Sequence, residues 1–143
     1  MEDAKRILAL LAPQIAGQID RAMASLATRQ HGVVARWQLL ELGMTPHMVK
    51  GGIQRGVLHV MHRGVHAVEH RDMAQEGRWM AATLAFGRHA ALSHRSAGQL
   101  WGLVPRSSLA PEVTRPGRVK RPDLTAHQGT LIRDEVVWVG GYR

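Results

Sequence analysis

Three residues in the first third of the chain, Gly43, Thr45 and Pro46, constrain its fold more than any others. A glycine suits the left-handed cap that ends a helix, and a Thr-Pro pair suits an N-cap followed by the first helical position of the next. Two helices therefore meet across a very short turn. Upstream, Ala35 to Leu42 offers Trp37, Leu39, Leu40 and Leu42 for packing, and downstream the new helix runs to about Arg55, where Gly56 ends it. An earlier helix is predicted from Asp20 to Gln30, because Ala22, Met23, Leu26 and Ala27 fall on one face; it stops before His31-Gly32, and Val33-Val34 makes a short strand. Beyond Gly56, Val57 to Met61 alternates like a strand, Arg63-Gly64 turns the chain, and Val65 to Val68 returns.

Helix, strand, helix, turn, helix, hairpin is the order of a winged helix-turn-helix, expected here over residues 19–70. In that arrangement the third helix enters the major groove of DNA while the hairpin touches flanking phosphates or the minor groove. Val49 and Ile53, four residues apart, are expected to face inward, leaving His47, Lys50, Gln54 and Arg55 outward. Lys50 and Gln54 are the candidates for base edges, and Arg36, Arg55 and Arg63 for phosphates, with Thr45 and His62 completing the candidate DNA-binding set. Gly51-Gly52 interrupts the reading helix, each glycine costing about 1 kcal/mol relative to alanine. Either the pair allows close approach to phosphate or it marks weakened recognition, and the second reading is favoured.

Charge agrees with an anionic partner. Nineteen Lys and Arg against eleven Asp and Glu give a formal charge of +8, although charge alone leaves specific and nonspecific nucleic-acid binding equally open. With 143 residues, 45% of them hydrophobic, the chain can bury one ordinary core. The absence of cysteine excludes disulfides, thiolate metal sites and cysteine nucleophiles, and fits a reducing compartment; a cytoplasmic location is expected. Ile7 to Ala12 is too short for a membrane span and is expected to form a short helix stopping at Pro13, within an N-terminal extension over residues 1–18.

The second half, residues 71–143, reads as an α+β lobe. Arg71 to Phe86 suits a helix with Trp79, Met80, Thr83 and Leu84 on its buried face, and Ser93 to Leu103 a second one opened by a serine cap. Ala110 to Thr114, Leu124 to His127 and Val136 to Val139 read as short strands, separated by the basic turns Arg115-Pro116-Gly117-Arg118 and Lys120-Arg121-Pro122, which are candidates for DNA backbone contact. The fold class expected is therefore α+β: an N-terminal winged helix-turn-helix followed by a small helical and β-hairpin lobe.

Enzyme chemistry finds little support in the pattern. His59, His62, His66 and His70 are close in sequence, but strand alternation and the turn point them in different directions, which argues against a shared metal. His94-Arg95-Ser96 offers a base beside a nucleophile, yet neighbours on a helix do not face one another. Glu41, Glu69, Asp72 and Glu76 match no metal-nuclease arrangement, and no phosphate-binding glycine loop is present. Neither catalysis, nor a cofactor, nor a metal is expected.

The run LATRQHGVVARWQLLELGMTPHMVKGGIQRGVLHVMHRGVHAV, from Leu26 to Val68, resembles the N-terminal winged-helix domain of AbiEi-type antitoxins and related actinobacterial proteins. Glu76 to Ala82, Leu92 to Ala97 and Leu100-Trp101-Gly102-Leu103 resemble the segment that follows the wing in those proteins, so the likeness covers most of the chain from Leu26 onward. It implies operator binding and autorepression of a toxin–antitoxin operon, with a nucleotidyltransferase-like toxin as partner; the winged-helix reading itself adds the expectation of a homo-oligomer, a dimer or tandem array on repeated half-sites. Many such relatives continue into a domain resembling a very-short-patch repair endonuclease, for which no length remains after Val139. The alternative expectation is a non-catalytic interaction module, or the front half of a nuclease-like protein whose charge attracts nucleic acid nonspecifically.

Overall fold

The computed structural model describes all 143 residues, Met1–Arg143. It opens on one long helix, α1 (Glu2–Arg29), which runs through Pro13. The expected stop at Pro13 is therefore corrected. Proline removes its own N–H and crowds the carbonyl four residues back, but every residue from Met1 to Ala16 is exposed, so water can satisfy that carbonyl, and the alanines and leucines on either side are strong helix formers. The helix ends where His31 and Gly32 both take left-handed backbone angles (φ 57° and 92°) and turn the chain into β1 (Val33–Ala35).

Two short helices follow, α2 (Arg36–Glu41) and α3 (Pro46–Gln54), and then the antiparallel hairpin β2 (Leu58–His62) and β3 (Val65–Val68). β1 adds to β3 with Val33 opposite Ala67 and Ala35 opposite Val65, giving a three-stranded sheet in the order β1-β3-β2. Alternation along β1 divides the core. Val34 faces Ile19, Met23 and Ala27 of α1, Leu39 of α2 and Val49 of α3, while Val33 faces the other way.

That other face is covered by α4 (Gln75–Ala85), whose Trp79, Met80 and Ala82 pack on Val33, Val65 and Ala67. The hydrophobic core thus crosses the boundary expected near residue 70, and Trp79 is its largest fully buried side chain. Tyr142 closes it from the C-terminal end: the ring stacks on His31, meets the Trp79 ring edge-on, and its hydroxyl donates to the Glu76 carbonyl at 2.5 Å. Burial pushes its phenol well above the ordinary tyrosine range.

The second sheet consists of β4 (Ala91–Leu92), β5 (Glu112–Arg115) and β6 (Thr125–Gln128), flanked by α5 (His94–Leu100). Here the hairpin expectation is corrected, because β5 and β6 run parallel, Val113 lying opposite Ala126. Parallel pairing forces the connection to travel back along the sheet rather than turn tightly. Val136 to Val139 is not a strand; a 3₁₀ turn (Arg133–Glu135) and a single bridge between Val139 and Tyr142 replace it. The Ser93 cap is also corrected: its side chain makes no capping bond and accepts instead from the Thr114 hydroxyl at 2.8 Å. No helix is long and apolar enough to cross a membrane.

Candidate nucleic-acid interface

The turn between α2 and α3 is built as its residues dictate. Gly43 adopts φ 102°, Thr45 Oγ1 accepts from the Met48 N–H at 3.2 Å, and Pro46 occupies the first turn of α3. At the start of α2, Gln38 accepts from the Ala35 N–H (2.9 Å) and exchanges two amide hydrogen bonds with Gln30 (2.7 and 2.9 Å), fixing α2 against the end of α1. α3 is thus held in place at its cap and by its packing on β2.

Its inner face differs from the expected one. Val49 is buried, but Ile53 is exposed, and Gly52 takes the inward position instead. A Cβ at Gly52 would lie 3.0 Å from Leu58 Cδ1, so the missing side chain is what lets α3 close onto β2. That approach leaves Ile53 at the rim. Gly51 has a different role: a Cβ there would meet only the Arg55 guanidinium at 2.9 Å, so the Arg55 side chain folds back over the outer side of the helix. Neither glycine therefore needs a phosphate to explain it.

The outward face carries what was expected of it. His47, Lys50 and Gln54, three and four residues apart, are exposed along one side of α3, with Arg55 exposed at its C-cap and Thr45 exposed at its N-cap. Arg36 and Arg63 are also exposed, but at the opposite end of the hairpin, where the Arg36 N–H donates to the Gly64 carbonyl at 2.8 Å. His62 is turned away from solvent: its ring nitrogen meets the Asp123 carboxylate at 2.8 Å, so it ties the hairpin to the second lobe. Desolvation would raise the Asp123 carboxyl, but its own backbone N–H, His62 and Arg121 outweigh that and hold it below the usual carboxylate range.

A second group of cations joins at this end. Arg121 donates to the Arg63 carbonyl (3.1 Å) and to the Ala85 carbonyl (2.7 Å), bracing the hairpin tip against the end of α4. Around it a cleft of about 450 Å³ is lined by Arg36, Trp37, Arg63, Arg115 and Arg121, and Lys120 borders the neighbouring cleft beside His62. The buried Nε of Arg115 has no hydrogen-bond partner. From sequence, the two basic turns were candidates with no assigned place. Arg115 of the first and Lys120 and Arg121 of the second line the clefts at the hairpin tip, past which the parallel β5–β6 pairing carries the connection.

The four hairpin histidines go separate ways. His59 faces the Glu69 carbonyl, His62 pairs with Asp123, His66 is buried, and His70 is exposed beyond β3. Burial, and then the Arg36 charge, lower the His66 pKa, and its Nδ1 has no partner. In the second lobe His94 and His127 stack at 3.7 Å, and His127 contacts Glu112, which also accepts from the Arg95 N–H; the buried Ser96 hydroxyl accepts from the Glu112 N–H at 2.9 Å. No protein-family model matches the chain, and a search of curated proteins finds no match.

Proposed function

We propose that this chain is a DNA-binding transcriptional regulator whose winged helix-turn-helix reads duplex DNA with α3. The observation that carries the reading is the combination of element order α1–β1–α2–α3–β2–β3, sheet order β1-β3-β2 and a polar outward face on a capped α3. On this reading Lys50 and Gln54 meet base edges, and Thr45, His47 and Arg55 approach the flanking backbone.

The charge distribution supports a division of labour. α3 carries two cations on its outer side, Lys50 and the folded-back Arg55, whereas the hairpin tip gathers Arg36, Arg63, Lys120 and Arg121. The two sites are separated by the length of β2, about 17 Å for five residues, a separation suited to one site in the groove and the other on phosphates beside it. Phosphate contact at the tip supplies affinity, and α3 supplies preference. The sequence resemblance to AbiEi-type antitoxins supports the finer proposal that the target is the chain's own upstream DNA and that a nucleotidyltransferase-like toxin is the partner.

Fluorescence anisotropy with the chain's own upstream duplex and a scrambled one, at low and near-physiological salt, tests this. A preference of about a thousandfold that survives the higher salt and is lost in Lys50→Ala/Gln54→Ala supports a sequence-reading protein. Equal and salt-labile binding to both duplexes, or none, would refute it and favour an interaction module.

A further inference from the structure

The hairpin tip holds more positive charge than the chain itself neutralises. Arg36 at the start of α2, Arg63 in the turn between β2 and β3, Arg115 at the end of β5 and Arg121 in the connection to β6 line one cleft of about 450 Å³, and no carboxylate lines it with them. None of the four forms an ion pair. Asp123, whose carboxyl feels the Arg121 charge, is already paired with His62 at 2.8 Å. Arg115 is the most isolated, because its Nε is shut from water without a hydrogen-bond partner. Like charges gathered in a partly buried recess are screened less than on an open surface. Arg121 is nevertheless fixed there by the Arg63 and Ala85 carbonyls, at 3.1 and 2.7 Å, which spares an incoming anion the cost of ordering it.

We propose that this cleft binds the oligophosphate group of a small molecule, two or more linked phosphates. Every cation lining it is an arginine, whose planar fork takes two phosphate oxygens at once. Four positive charges in so small a volume also call for several negative charges on one compact group. A nucleic-acid strand carries one charge per nucleotide and would bring only about one or two into the recess. The remaining lining includes Trp37, Leu40, Phe86 and Val119, with Leu40 and Val119 36% and 38% exposed, an apolar margin for an organic group attached to the phosphates. A duplex at the tip would draw on Arg36, Arg63 and Arg121 as well. On the DNA-binding reading, on which this consequence alone rests, the small molecule and the DNA backbone compete.

Isothermal titration calorimetry of the full chain, without DNA or divalent cations and at near-physiological salt, tests the proposal with tripolyphosphate, adenosine triphosphate and orthophosphate. Tripolyphosphate should fill a single site at least about tenfold more tightly than orthophosphate, and Arg115→Gln and Arg36→Gln should each weaken it about tenfold or more. Near-UV circular dichroism of buried Trp79 checks that both variants remain folded. Arg118→Gln removes the same charge from an exposed position in the same turn as Arg115 but outside the cleft, and should leave the affinity within about twofold. Adenosine triphosphate should bind at least as tightly as tripolyphosphate, any excess measuring what the apolar margin adds. No binding of tripolyphosphate, several sites whose affinity follows net charge, or equal losses in Arg118→Gln and Arg115→Gln would overturn the proposal. In DNA anisotropy, tripolyphosphate should weaken duplex binding by the wild type more than sodium chloride of equal ionic strength does, and should lose that advantage in Arg115→Gln. Tripolyphosphate binding with duplex affinity unmoved would overturn the competition, whereas tripolyphosphate binding by a chain that takes no duplex would uphold the cleft and refute the DNA-binding reading.

Discussion

His66 is the residue whose chemistry is most at odds with its surroundings: it is 4% exposed, in the middle of a strand, with one ring nitrogen unpartnered. Its depressed pKa means that the unfolded chain takes up a proton before the folded chain does. Stability is then fully present above the ordinary value of 6.5 and falls as the pH drops below it toward the lower folded value. Denaturant titrations at about pH 7.5 and about pH 5.5 should show the wild type losing stability in acid, and His66→Leu should lose less. At neutral pH that substitution should be close to neutral, because it removes an unpaired polar atom along with the imidazole. An equal loss in both proteins would mean that another group governs the acid response. The sequence shows a histidine at position 66 among valines and alanine, and alternation even places it opposite its neighbours, but burial on the Val34 face depends on α1 lying across that side of the sheet.

At the scale of elements, the adjacent glycines of α3 make opposite predictions from the same composition. Both should gain helix propensity on conversion to alanine, by about 1 kcal/mol. At Gly52 the added methyl meets Leu58, itself 1% exposed and unable to move aside, and overpacking of this kind costs about 1–3 kcal/mol. Gly52→Ala should therefore destabilise the protein, whereas Gly51→Ala, which meets only the end of a flexible arginine, should stabilise it. Thermal melts of the two variants check this; the same sign in both would show that α3 does not close on β2 as described. The helix and its caps were legible in Gly43, Thr45, Pro46 and Gly56. Its rotation was not, since Ile53 is the better hydrophobe and only the approach of β2 makes a bare α-carbon the inward position. Pro13 misled for the reverse reason: its local cost is real, and a solvent-exposed helix simply bears it.

For the whole molecule, the features that sequence periodicity left obscure are those set by contacts distant in the chain. Parallel pairing of β5 with β6, His62 on Asp123 and Arg121 on Arg63 are all joined across gaps that no local pattern spans. They place Lys120 beside the hairpin tip, so Arg63→Ala and Lys120→Ala should each lower the salt dependence of DNA binding by about one phosphate contact and leave the preference between duplexes intact. A variant that lost preference at unchanged salt slope would remove the tip from the phosphate role.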